Sequence, residues 1–255
     1  MHNKITYEQP LNERIRTFLR LEFLFKQAKH HIQGRSPWDS RAAMASLQDI
    51  LNIFSRADLK NEVMKELERQ IAALTKLEQS PGVDREKLNE ILDHMDVLVD
   101  RLHATQGQVG QPLRQNEFLT SIRQRSSIAG GTCDFDLPAY HYWLQQPAEQ
   151  RVFELEQWLN EFDAVQLSIS MILHLIREST TPSDETAHSG FFQQSLDTNM
   201  PYQLIRVTVE REINYYAEIS GGKHRFTVRF MEQRADERAV QAEEDIPFKL
   251  TCCAL

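Results

Sequence analysis

The feature that most constrains this chain is a switch in hydrophobic period near Glu178. Before it, apolar residues recur at the three- and four-residue spacing of amphipathic helices; after it, they alternate with polar residues, as in half-buried strands. Ile15, Phe18, Leu19, Leu21, Phe23, Leu24 and Phe25 form so broad a stripe that the first helix, from Leu11, is expected to be buried on more than one side. Met44, Leu47, Ile50, Leu51 and Phe54 mark a second helix, from about Asp39 to Phe54. Asp58 is the expected N-cap of a third, running to about Gln79. Leu88, Ile91, Leu92, Met95, Leu98, Val99 and Leu102 line one face of a fourth, packed against the third across a short turn. Shorter helices are expected over Asn116 to Arg125, after Pro138 and from Pro147, and the nearly uniform apolar run Leu167 to Ile176 predicts a central helix or a subunit interface.

The stretch STTPSDETAHSG has neither period and reads as a loop or linker. Beyond it, Leu204 to Glu210 places Ile205, Val207 and Val209 on one face. SGGK predicts a hairpin turn before Arg225-Phe-Thr-Val-Arg-Phe230, and Ile246 to Thr251 predicts a last strand in the same sheet, with Ile5 to Glu8 as a possible further member. The expected class is α+β: an N-terminal helical domain, 11–178, then a smaller antiparallel β-strand domain from 1–10 plus 200–255, with 179–199 as linker.

Composition narrows the function. The 255 residues are 41% hydrophobic, enough for a real core, and carry 37 acidic against 29 basic side chains, a net charge of -8. That balance opposes general nucleic-acid binding by counterion release. No apolar run approaches the length of a membrane span, and the N-terminal stretch lacks the pattern of a secretory signal, so a soluble cytoplasmic protein without membrane insertion is expected. Cys133, Cys252 and Cys253 form no paired framework and are expected as free thiols.

Chemistry concentrates in RQRSSIAGGTCDFDLPAYHYWL, residues 123–144. Cys133 with His141 as base would make a nucleophile of a thiol-dependent enzyme, the alternative function kept for this chain. The residues have no protease signature, and without CxxC, HExxH or an EF-hand loop no metal site is expected. Asp136, two residues before Pro138, reads as a helix N-cap. SGGK lies in a hairpin and lacks the phosphate-binding GxxxxGK[ST] pattern, so neither nucleotide, cofactor nor small-molecule substrate is expected. Strand alternation puts Arg225, Thr227 and Arg229 on one face, which serves either as a platform for carboxylates or as a solvated face balanced by neighbouring acids. Arg16 and Arg20 share a helix edge, where they too serve as exposed helical pairs or as a binding edge.

Four segments, YEQPLNERIRTFLRLEFL, RQRSSIAGGTCDFDLPAYHYWL, SGGKHRFTVRFM and the terminal LTCC, taken in this order and spacing, resemble the ZapD family of cell division proteins of Gram-negative bacteria over nearly the whole chain. The resemblance implies a helical domain joined to a β-strand domain, a homodimer, and a non-enzymatic activity at the midcell division ring: binding the C-terminal tail of the tubulin-like protein FtsZ and cross-linking its filaments. The family's tail-binding positions fall on Arg20 and His141, and its bundling positions on Arg56, Arg225 and Arg229. Where relatives place an arginine shortly after the Leu113-Arg114 pair this chain has Glu117, and Arg114 and Arg123 are the candidates to replace that contact.

Overall fold

A computed structural model describes residues 3–55, 58–78, 80–234 and 237–255. The chain forms two compact units, Leu19–Met171 and Met1–Phe18 with Ile172–Leu255, so the boundaries fall inside the first and last helices. The α+β expectation holds: after β1 the elements from Glu13 to Glu178 are helices, and the remaining strands of two antiparallel sheets follow.

In chain order the elements are β1 (Lys4–Pro10), α1 (Glu13–Ile32), α2 (Pro37–Phe54), α3 (Leu59–Thr75), α4 (Arg85–Ala104), α5 (Gln111–Gln115), α6 (Glu117–Ser126), α7 (Pro138–Leu144), α8 (Ala148–Asn160) and α9 (Asp163–Glu178). The strands β2 (Ser183–Ala187), β3 (Phe191–Ser195), β4 (Tyr202–Glu210), β5 (Tyr215–Gly221), β6 (Arg225–Glu232), β7 (Val240–Gln241) and β8 (Ile246–Ala254) follow.

Capping chemistry sets the helix starts. Ser36 accepts from the Asp39 N–H while the Asp39 carboxylate accepts from the Ser36 N–H, a reciprocal box that opens α2 with Pro37 at its first position. Asp58 caps α3 as expected, although that helix ends at Thr75. Asn116 caps α6, and Glu117 then falls in its first turn, where a carboxylate complements the unsatisfied amides.

Two aromatic groups organise the helical unit. Phe162 is fully buried and packs against Phe25 and Phe54, with ring centroids 6.2 and 5.0 Å away. Phe118 from α6 meets Tyr140 and Trp143 of α7 and Trp158 of α8 at about 6 Å. Trp143 also donates its indole N–H to Glu154 at 2.7 Å, which fixes α7 against α8.

The β unit contains two antiparallel sheets rather than the single sheet expected. One has the order β1-β4-β8-β2; the other has β3-β6-β5, with β7 on β6. Their inner faces share one apolar core built from Ile205, Val207, Val209, Phe226, Val228, Phe230 and Phe248. The stretch 179–199, read from the sequence as a linker, contributes β2 and β3, one to each sheet. Both are edge strands, with most of their residues exposed, so no alternation marked them.

Candidate protein-binding site

The connection between α6 and α7 is a series of tight turns in which two glycines have different tasks. Gly130 adopts φ +72°, a conformation costly for residues with a Cβ, while a Cβ on Gly131 would collide with the Arg125 carbonyl oxygen. The turns are closed by Gly131 N–H to Ile128 O at 2.9 Å and Cys133 N–H to Gly130 O at 3.0 Å. Asp136 is not the cap of α7. Leu137 holds that position with no side-chain cap, and the Asp136 carboxylate instead accepts from the Cys133 thiol at 3.5 Å and lies 3.8 Å from Arg125.

Arg41 of α2 fastens this loop. Its guanidinium donates to Thr132 O at 3.0 Å, lies 3.9 Å from Asp134, and sits over the rings of Trp38 and Tyr140 at 5.7 and 5.0 Å. Asp134 is shared, because the Nδ1 of His141 lies 2.9 Å from the same carboxylate. Burial pushes the Tyr140 phenol up to about 12, against the opposing field of Arg41, so the ring stays neutral at physiological pH. Beside this knot lies a groove of about 770 Å³, lined by Arg41, Met44, Gln48, Arg123, Ile128 and Tyr140 among others. Gln48 is buried; its amide nitrogen donates to Leu119 O at 3.1 Å, leaving Oε1 without a partner among the described residues.

The candidate residues fall into separate places. Arg123 lines the groove, and His141 lies beside it through Asp134. Arg114 does not join them. It donates to Gln108 Oε1 at 2.8 Å and Phe54 O at 3.5 Å, next to a different recess of about 430 Å³ lined by Phe54, Lys60 and Gln108. Arg20 is exposed on α1, with no ion-pair partner among the described residues. Arg56 lies outside the described residues.

In the β unit, β6 alternates as the sequence predicted: Phe226, Val228 and Phe230 are buried, and Arg225 and Arg229 are exposed. The two arginines stand four residues apart, about 13 Å along the strand. Arg229 lies opposite Phe191 on one side and Glu218 on the other, and Arg225 opposite Ser195. Neither guanidinium has an ion-pair partner among the described residues.

The geometry does not assemble the thiol chemistry considered from sequence. Cys133, half-buried, faces Asp136, and the Nδ1 of His141 faces Asp134. On β8, burial raises the Cys252 thiol to about 11 and Cys253 to about 12. Among the described residues no group of three or more His, Cys, Asp or Glu is placed to hold a metal ion, and no helix is long and apolar enough to cross a membrane. Sequence reasoning missed Arg41, Trp38 and Gln48. The available signal was the Trp-x-x-Arg spacing at the start of α2, which puts the pair on one face once the helix is seen to begin at Pro37 rather than Asp39.

Comparison with known proteins adds a family. The model described as "ZapD: Cell division protein" matches residues 19–229. The chain is 48% identical over 255 residues to the cell division protein ZapD of Methylococcus capsulatus, covering 100% of both chains. It is 44% identical over 253 residues to that of Coxiella burnetii strain RSA 493, covering 98% of each. A third relative, from Janthinobacterium sp. strain Marseille, is 39% identical over 250 residues, covering 98% of this chain and 99% of its own.

Proposed function

From the premise that this chain belongs to the ZapD family of cell division proteins, we propose that it acts without catalysis, as a homodimer in the cytoplasm that binds the C-terminal tail of FtsZ and bundles FtsZ filaments at the midcell ring. The observation that carries this reading is a set of exposed cations without ion-pair partners among the described residues, Arg20 on α1 and Arg225 and Arg229 on β6, in a chain whose net charge is -8. On so acidic a surface such cations are the places where a carboxylate-bearing partner is held and a polyanion such as nucleic acid is not.

Arg20 and His141 are the proposed tail contacts, with Arg123 at the groove edge as the nearest substitute for the arginine that Glu117 replaces. Arg114 is the weaker substitute, because its guanidinium is already committed to Gln108 and Phe54. The apolar part of the groove, Met44 and Ile128, suits the hydrophobic side chains of a peptide whose acids meet the arginines. Arg225 and Arg229, with Arg56, are assigned to bundling. Two copies in one dimer make attachment to a polymer bivalent, so weak single contacts suffice for stable cross-links.

The test is fluorescence anisotropy of a labelled FtsZ tail peptide with wild type, Arg20→Glu and His141→Glu. Each variant is expected to weaken binding by about tenfold or more, equivalent to ~1.4 kcal/mol, with an unchanged circular dichroism melt. Unchanged affinity in both variants contradicts the assignment of the tail site.

A further inference from the structure

Asp134 stands where the acid of a ligand would stand. One oxygen of its carboxylate, Oδ1, lies 2.9 Å from Nδ1 of His141 and 3.9 Å from a guanidinium nitrogen of Arg41. Two basic side chains from different helices, α2 and α7, thus converge on a single acid, whose side chain is 66% exposed on the connection between α6 and α7. Arg41 has other anchors. Its guanidinium donates to the Thr132 carbonyl at 3.0 Å and lies over the rings of Trp38 and Tyr140, and only 23% of the side chain is exposed. It is therefore in place before anything binds, which lowers the ordering cost of a contact. Asp134 is less committed. The turns around it are closed by the amides of Gly131, Cys133 and Leu137, so swinging the Asp134 side chain away breaks none of these backbone hydrogen bonds. The next acid, Asp136, does not share this place, because it faces Arg125 and the Cys133 thiol.

We infer that Asp134 is an internal stand-in for a carboxylate of the bound peptide, and that Arg41 is a further tail contact, forming with His141 an acid-holding subsite that opens when Asp134 is displaced. The inference rests on the tail reading above, to which it adds one residue that binds and one that competes. The guanidinium of Arg41 is charged at every physiological pH, and His141 adds a second cation whenever its imidazole carries a proton. Both are the groups that a peptide carboxylate needs. Because Asp134 belongs to the same chain, it meets them at a fixed, high effective concentration, and a lone weak anion does not dislodge it. A peptide with further contacts, at Arg20 and along the groove that Arg41 lines, does. The negative charge of Asp134 also opposes the approach of any acidic segment. The side chain therefore lowers affinity twice, by occupying the cations and by repelling the ligand, and in doing so favours partners that bring more than one contact.

Fluorescence anisotropy of the labelled FtsZ tail peptide with the full chain tests this, comparing wild type, Asp134→Asn, Arg41→Gln and the double variant. Asn matches Asp in size and the position faces solvent, so Asp134→Asn keeps the fold and decides the stand-in even if Arg41→Gln proves unstable. Asp134→Asn is expected to tighten binding about two- to fivefold, the magnitude of one exposed ion pair, with the gain fading as salt rises. Arg41→Gln is expected to weaken binding, and most of the gain from Asp134→Asn is expected to vanish in the double variant, because the freed guanidinium supplies it. A residue that merely pins the loop gives a loss instead of a gain. Unchanged or weaker binding by folded Asp134→Asn, with His141→Glu still impaired, overturns the stand-in and leaves the tail reading standing. A gain as large with Arg41→Gln as without it overturns the role of Arg41. A peptide that binds neither wild type nor Asp134→Asn overturns the tail reading, and this inference with it.

Discussion

Arg151 shows how much one side chain can determine. It is 4% exposed, and its guanidinium donates to Ser40 Oγ at 3.0 Å, Leu144 O at 3.0 Å, Arg35 O at 2.8 Å and Gln146 O. All four acceptors are neutral, so it is held by hydrogen bonds rather than by a counter-ion. They belong to α2, the end of α7 and the turns before α2 and α8, which one planar fork ties to α8. Arg151→Ala is expected to cost about 2–4 kcal/mol, because it strands several buried acceptors and leaves a void. Urea unfolding followed by circular dichroism measures it, and a loss under about 0.5 kcal/mol would show that these bonds contribute nothing net. Nothing local in the sequence marks this role. The partners Ser40 and Arg35 lie 111 and 116 residues away, as Thr132 lies 91 residues from Arg41, and residue spacing reports only neighbours. The misplaced cap at Asp136 has the same origin: its carboxylate is drawn to Arg125 and Cys133, and Pro138 already removes one of the amides a cap would serve.

At the scale of elements, legibility followed burial. In β6 one face is core and the other solvent, so RFTVRF displays the strand period outright. In β2 and β3 the sequences SDETA and FFQQS are mostly exposed at sheet edges, and a polar edge strand looks like a loop until its pairing partner is known. Their partners, β8 and β6, lie far along the chain. A second long-range tie is Glu8 of β1, whose two carboxylate oxygens take Arg177 of α9 at 2.8 Å and Arg206 of β4 at 3.0 Å. These side chains are only 19–25% exposed. Glu8→Gln removes the carboxylate charge that both guanidiniums share and is expected to destabilise the β unit by about 2–4 kcal/mol. The check is the urea midpoint, read on the far-ultraviolet strand signal. An unchanged midpoint would mean that solvent already screens the triad.

At the scale of the whole molecule, the sequence carried the order of the main helices, the change from helices to strands and the alternation of the arginine strand, while β2, β3 and the partition into two sheets needed the structure. The groove between α2 and the Gly130-Gly131 loop was legible only on the side away from α2, where Arg123 stood out; the α2 side, Arg41 and Gln48, was silent. The family assignment places the chain in cell division. A filament cross-linker needs an acid-holding site, a second copy and a reason to prefer polymer over free subunits, and avidity supplies the last. The measurement that tests this most directly is co-sedimentation of polymerised FtsZ with this protein, using full-length FtsZ and FtsZ lacking its C-terminal tail. The account predicts extra bundled pellet with full-length FtsZ, lost when the tail is removed and weakened as salt screens the exposed cations over about 8 Å at physiological ionic strength. Equal bundling with and without the tail, or none with either, would contradict it.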